Sequence, residues 1–239
     1  MSFGGLRILR ELSATIEDGE KVALIGPNGA GKTTLLNLIG GQLAPSDGRI
    51  YVFDRDITRL PAHRRAHIGL ARSFQVSRLF HNLSVIENLT LALRGTTPSR
   101  FEMVRAATPH DEILDRAQKL LESLDLWDKR DGPIEALPYG EQRKLEIGLS
   151  LALKPRILLL DEPTAGLAIA DIPSFTDLIK NVAGDTTLLF VAHDMDVVHN
   201  LASRILVLYY GEFIAQGTMQ EIESDPRVRE IYLGTEDWD

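Results

Sequence analysis

A glycine-rich segment near the N-terminus constrains the fold of this chain more than any other feature. It follows the apolar run 22–25, precedes the amphipathic stretch 34–39, and matches G-x-x-x-x-G-K-[ST] with Gly26, Pro27, Asn28, Gly29, Ala30, Gly31, Lys32 and Thr33. In such a loop the backbone N–H groups point at phosphate oxygens, and the next helix adds the positive end of its dipole. The pattern predicts a nucleotide site in which Lys32 supplies charge, Thr33 binds magnesium, and contacts extend to Thr34.

Further apolar runs indicate a parallel sheet. Residues 21–25, 156–160, 187–192 and 204–210 form nearly continuous apolar stretches, as in strands that helices cover on both faces. Between residues 75 and 153 the pattern changes to helical spacing, and Ser84 and Glu87 form a capping-box pattern. We therefore expect an α/β core with an inserted helical subdomain. Residues 209–214 predict a hairpin, and Thr218 with Glu221 a second capping box.

Composition excludes several classes of protein. The 239 residues are 44% hydrophobic and 25% charged, which is typical of a globular chain. No apolar run approaches the roughly 20 residues that cross a bilayer, and residues 1–5 show no secretory pattern. The absence of cysteine excludes disulfides and thiolate metal sites and fits a cytoplasmic location. A net charge of −8 argues against a broad nucleic-acid-binding surface.

Polar side chains end two of the predicted strands. Asp161 and Glu162 follow the run 157–160, at the edge where open α/β sheets hold their ligands. We expect Asp161 to remain ionised and to hold magnesium, and Glu162 to accept a proton from water as general base. His193 follows the next apolar run and could donate a hydrogen bond to a γ-phosphate. The amide of Gln75, after the first α/β segment, could contact the metal or the attacking water.

A second helix start offers another site for an anion. Residues 137–143 open a predicted helix that runs to about residue 153, and its free N–H groups lie around Tyr139, Gly140 and Glu141. Because the glycine-rich loop already supplies this chain's own anion site, we expect the second helix start to contact a nucleotide held by another subunit.

Taken together and in this order, these motifs resemble the nucleotide-binding subunits of ABC transporters across essentially the whole chain. The resemblance implies a P-loop NTPase (RecA-like) core with an antiparallel β subdomain and an inserted α-helical subdomain. The core would comprise residues 1–75 and 154–239, and the helical subdomain residues 76–153. It also implies that Phe3 stacks on adenine and that two subunits close head to tail on two ATP molecules with Mg²⁺.

Within the family, the motifs look most like those of importers of branched-chain and other hydrophobic amino acids, with urea importers and the lipopolysaccharide-export ATPase also similar. The resemblance implies a peripheral location on the cytoplasmic face of the membrane. Its expected partners are permeases, a second ATPase that is identical or different, and, indirectly, a solute-binding protein. Two rival functions are a soluble ABC ATPase of DNA repair or translation and a subunit that closes without hydrolysing ATP. Soluble ABC ATPases usually have a coiled coil or two cassettes, and neither is found in this sequence. A subunit that does not hydrolyse ATP would have lost its general base, whereas this chain retains Glu162 and His193.

The chain departs from the family pattern at three places. In the usual Leu-Ser-Gly-Gly-Gln signature, Pro138 replaces serine, Tyr139 the first glycine and Glu141 the glutamine. The resemblance therefore predicts a missing hydroxyl contact to the γ-phosphate. Ala168 stands where aspartate is common, which affects the expected coupling between the two sites. The segment before Phe3 is short, so we expect either a β subdomain without an edge strand or a different start.

Overall fold

The computed structural model describes residues 1–3, 6–73, 79–95, 110–152 and 154–233. Contacts divide the chain into two compact units, the first comprising Met1–Arg72, Arg156–Pro163 and Asp185–Asp239, the second Ser73–Pro155 and Thr164–Gly184. The second unit contains the predicted helical segment and also Thr164–Gly184, which the sequence patterns assign to the core. The domain boundaries drawn from the sequence stay a prediction.

Ten strands and nine α-helices occur in the described part of the chain. The strands are β1 (Ser2–Phe3), β2 (Leu6–Arg7), β3 (Lys21–Ile25), β4 (Tyr51–Val52), β5 (Arg55–Asp56), β6 (Leu70–Arg72), β7 (Ile157–Asp161), β8 (Thr187–Val191), β9 (Arg204–Tyr209) and β10 (Glu212–Gly217). The helices are α1 (Lys32–Gly40), α2 (Ala62–His67), α3 (Val85–Gly95), α4 (His110–Ser123), α5 (Tyr139–Ala152), α6 (Ile172–Ala183), α7 (Met195–Leu201), α8 (Met219–Ser224) and α9 (Pro226–Leu233).

The first unit is built on a six-stranded sheet. Its order is β10-β9-β3-β8-β7-β6, and every neighbouring pair is parallel except β9 and β10. The central strands are buried along almost their whole length, because leucine, valine and isoleucine occupy successive positions on both faces. Two small antiparallel pairs, β1–β2 and β4–β5, lie outside this sheet. The predicted α/β fold class is confirmed.

The second unit is helical. Leu89 of α3, Leu121 of α4 and Leu145 of α5 are fully buried members of one hydrophobic cluster. The predicted capping box begins α3, since the Ser84 N–H donates to Glu87 Oε2 (2.7 Å) and the Glu87 N–H to Ser84 Oγ (3.3 Å). No helix in the described residues is both long enough and apolar enough to cross a bilayer.

Candidate functional site

The glycine-rich loop connects the carboxyl end of β3 to the start of α1. At Gly26, φ is +151° and a Cβ atom would lie 2.0 Å from the carbonyl oxygen of Leu208 in β9, so only glycine fits. The loop is closed by a hydrogen bond from the Ala30 N–H to Pro27 O (3.2 Å) and braced by one from the Gly211 N–H to Ala30 O (3.1 Å). The neighbouring β9 and the turn after it therefore fix the shape of the loop.

Lys32 brings a positive charge into this loop. Its side chain is buried, and Nζ donates to the carbonyl oxygens of Gly26 (2.5 Å) and Pro27 (3.1 Å). Burial lowers the pKa of the ammonium group, while the charges of Glu162 and Asp161 act in the opposite direction. Asn28, Gly29 and Thr33 are exposed along the same segment, so a ligand can reach the loop.

Asp161 ends β7 with its carboxyl group almost completely buried. Oδ2 accepts a hydrogen bond from Arg72 Nη2 at 3.0 Å, whereas Oδ1 is buried and has no hydrogen-bond partner. Burial raises the pKa of this carboxyl, opposed mainly by the charge and hydrogen bond of Arg72 and to a smaller extent by the Thr33 hydroxyl. A buried carboxylate oxygen without a partner, next to a hydroxyl, suits a hard cation such as Mg²⁺.

Glu162 and His193 lie together at the same edge of the sheet. Glu162 adopts φ +48°, and its N–H donates to the carbonyl oxygen of Val191, the last residue of β8. His193 follows β8 by two positions, and its Nε2 lies 3.1 Å from Glu162 Oε1. Both side chains are partly exposed, so water can reach the pair. The arrangement can hold a carboxylate ready to accept a proton.

The second predicted anion site lies in the helical unit. Helix α5 begins at Tyr139, and the Pro138 carbonyl accepts from the N–H groups of Glu141 (3.0 Å) and Gln142 (3.1 Å). The Tyr139 hydroxyl donates to Ala165 O at 3.2 Å, and its side chain is half exposed. Glu141 forms an ion pair with Lys129, which offsets the repulsion that its carboxylate would exert on a phosphate.

The structure gives no side-chain contacts for two of the predicted site residues. Gln75 lies outside the described residues, and Phe3 is described only as part of β1, so their roles stay predictions. In the other direction, sequence reasoning missed the part that Arg72 plays beside Asp161. The sequence does show a charged residue at the end of an otherwise apolar strand. That pattern does not indicate which residue it pairs with, because Asp161 is 89 positions away.

Comparison with known proteins places these features in a family. The family model described as ABC transporter matches residues 9–165, and that of the branched-chain amino acid ATP-binding cassette transporter matches residues 214–237. The high-affinity branched-chain amino acid transport ATP-binding protein LivG of Salmonella typhimurium is 38% identical over 241 residues, covering 98% of this chain and 94% of the relative. The lipopolysaccharide export system ATP-binding protein LptB of Acidithiobacillus ferridurans is 36% identical, covering 95% and 90%.

A solved structure shows the same similarity. A dimeric ATP-binding cassette in a post-hydrolysis state, bound to ADP and Pi, matches with a TM-score of 0.76 and 28% identity, covering 89% of this chain and 90% of that one.

Proposed function

Because this chain belongs to the ABC transporter family, we propose that it is the ATP-binding and ATP-hydrolysing subunit of an importer of branched-chain or other hydrophobic amino acids. One observation carries the proposal. The glycine-rich loop, the buried Asp161 and the Glu162–His193 pair lie in one compact unit that is built on a parallel sheet. Phosphoryl transfer from a nucleoside triphosphate to water requires these groups in one site.

Each side chain has a defined task in hydrolysis. The loop N–H groups and Lys32 bind the phosphates, and Thr33 and Asp161, with Gln75, would hold Mg²⁺. When bound, the metal neutralises charge on the phosphate oxygens. A water oxygen forms a bond to the γ-phosphorus, the bond from that phosphorus to the bridging oxygen breaks, and Glu162 takes the proton of the water. His193, whose Nε2 lies beside the Glu162 carboxylate, donates a hydrogen bond to the γ-phosphate when the nucleotide is bound.

Two ATPase subunits share the nucleotides. Tyr139, Gly140 and Glu141 at the start of α5 contact the ATP bound by the opposite subunit, and the dimeric cassette described above supports this pairing. ATP therefore favours the closed dimer, and loss of the γ-phosphate after hydrolysis favours opening. The free-energy difference between the closed and open dimers drives the conformational change of the permeases.

The relatives support the proposed membrane partners. LivG supports a complex with amino-acid permeases and a solute-binding protein, with the chain held peripherally at the cytoplasmic face of the inner membrane. LptB supports lipopolysaccharide export as a second candidate, because its identity is almost as high. The branched-chain family match over residues 214–237 favours the amino-acid importer.

Isolation of the native complex tests the proposal. The full chain carrying an affinity tag is purified from detergent-solubilised membranes, and its partners are identified by mass. We expect permeases and an ATP hydrolysis rate that rises when a solute-binding protein loaded with leucine, isoleucine or valine is added. Co-purification of lipopolysaccharide-export components, or a rate that no hydrophobic amino acid changes, would contradict the amino-acid assignment.

A further inference from the structure

Arg72, at the carboxyl end of β6, connects three parts of the first unit. Its Nη2 donates to Asp161 Oδ2 at 3.0 Å, and its Nη1 donates to Asn37 Oδ1 at 2.6 Å and to Gln42 Oε1 at 3.2 Å. The three acceptors lie at the end of β7, within α1, and just after α1. The guanidinium group therefore joins the strand that carries Asp161 to the helix that follows the glycine-rich loop.

The ion pair with Asp161 is buried. The side chains of Arg72 and Asp161 are 9% and 2% exposed. Removing two charges from water costs free energy that their attraction repays only when the geometry and the remaining hydrogen bonds are good. Here the planar guanidinium makes three side-chain hydrogen bonds through Nη1 and Nη2, a geometry that lysine cannot reproduce, while its buried Nε has no hydrogen-bond partner.

The pair leaves the Asp161 carboxylate asymmetric. Arg72 occupies Oδ2, while Oδ1 is buried without a hydrogen-bond partner. A carboxylate held through one oxygen cannot rotate freely, so the other oxygen keeps a fixed position.

We infer that Arg72 is a positioning residue for the metal. It holds Asp161 through Oδ2 so that Oδ1 is presented to the Mg²⁺ of the bound nucleotide, and it anchors that geometry to α1 through Asn37. The inference rests on the proposed function, because it requires a metal–nucleotide complex in the glycine-rich loop. Partners of this kind, which orient a metal-binding carboxylate, typically contribute about 10–100-fold to metal affinity.

Metal affinity tests the inference without using catalysis. The full chain is kept in excess over the non-hydrolysable ATP analogue AMP-PNP, so that almost no analogue remains free to bind Mn²⁺ itself; Mn²⁺ is titrated, and free Mn²⁺ is followed by electron paramagnetic resonance. Binding of AMP-PNP in EDTA is measured separately. We expect Arg72→Met to weaken Mn²⁺ binding by about 10–100-fold and to change AMP-PNP affinity in EDTA by less than about threefold. Arg72→Lys should keep the charge but still lose part of the Mn²⁺ affinity, because it lacks the planar guanidinium.

Arg204→Met is the matched control. Arg204 also pairs with a carboxylate, Glu20, at 2.6 Å, but it begins β9 at the amino edge of the sheet. This variant should lower thermal stability and leave Mn²⁺ affinity unchanged. If Arg72→Met does not fold, Arg72→Lys carries the test, with a weakening of at least about threefold in Mn²⁺ affinity expected.

Two results would overturn the inference. One is unchanged or tighter Mn²⁺ binding in the folded Arg72 variant, which would mean that the guanidinium is inert or competes with the metal. The other is an equal loss of AMP-PNP binding with and without metal, which would mean that Arg72 supports only the fold. If the wild-type chain binds no AMP-PNP, the proposed function itself fails, so the two failures are distinguishable.

Discussion

At the scale of single residues, the backbone conformation of Glu162, which has a positive φ, sets the position of its side chain. A positive φ is uncommon for a residue other than glycine and costs free energy, so the surrounding structure must hold it. Two contacts hold Glu162 in this conformation: its N–H donates to Val191 O, and its carboxylate contacts His193. Strain of this kind at a strand end is consistent with a catalytic role.

Glu162→Gln should separate binding from hydrolysis. The amide cannot accept the proton of water, so we expect hydrolysis to slow by about 10²–10⁴-fold while ATP affinity is retained. Single-turnover release of phosphate and equilibrium ATP binding measure the two effects. Glu223→Gln, on the exposed surface of α8, is the matched control and should hydrolyse ATP normally. Normal hydrolysis by Glu162→Gln would refute the assignment of the base.

Gly26→Ala should destroy the phosphate loop. Its Cβ atom would lie 2.0 Å from the Leu208 carbonyl oxygen, which belongs to a buried strand and cannot move away. We expect a lower melting temperature and loss of ATP binding, measured by calorimetry. Gly48→Ala also places alanine at positive φ but meets nothing within 4 Å, so it should bind ATP normally. A Gly26→Ala chain that binds ATP like the wild type would show that the loop is not the site.

The sequence identified these two residues but not Arg72. Gly26 and Glu162 belong to local patterns in which neighbouring residues specify the chemistry. The role of Arg72 depends on Asp161, Asn37 and Gln42, which only the folded sheet brings to one place. Pairings between distant side chains leave no comparable local pattern.

At the scale of elements, periodicity located the strands and helices well, while their ends required tertiary contacts. The run 21–25 matches β3, but the strand expected at 156–160 lies at Ile157–Asp161. The N–H groups of Arg156 and Ile157 both donate to the carbonyl oxygen of Gly69, just before β6 begins, so pairing with that segment sets the start of β7. The hairpin at 209–214 and the capping box at Thr218 are confirmed, because each is specified by a few adjacent residues.

The start of α5 is the element that most departs from the family pattern. Pro138 precedes the first helical residue and offers no side-chain oxygen to the free N–H groups, although Glu141 stands where a capping box places its acid. The Tyr139 hydroxyl instead connects this end of the helix to Ala165. Any anion bound at this helix start would therefore be held by the backbone N–H groups and the helix dipole.

Pro138→Ser should change the function of this helix start. The new hydroxyl can hydrogen-bond a γ-phosphate, a contact worth about 1.5–3 kcal/mol when the partner is charged. We expect a measurable change in steady-state ATPase activity or in ATP-driven dimerisation. Pro226→Ser, at the first position of α9, is the control and should leave both unchanged. Kinetics and dimerisation like those of the wild type would rule out the missing hydroxyl as a functional difference.

At the scale of the whole molecule, the proposed site is complete only when two subunits meet. One compact unit carries the glycine-rich loop, Asp161 and Glu162, and the other carries the start of α5. We therefore expect the Glu162→Gln chain, alone or with its co-purifying ATPase subunit, to sediment as a dimer in ATP and Mg²⁺ and as a monomer in ADP. A monomer under both conditions would contradict the shared site.

Equilibrium binding of ATP to the full chain, measured by titration calorimetry with Mg²⁺, is the most direct test of whether the glycine-rich loop is a triphosphate site. We predict saturable binding that is lost in Lys32→Ala, where the charge inside the loop is removed, and retained in Lys180→Ala, which alters an exposed lysine of α6. Absence of saturable binding to the wild-type chain, or equal binding by Lys32→Ala, would contradict it.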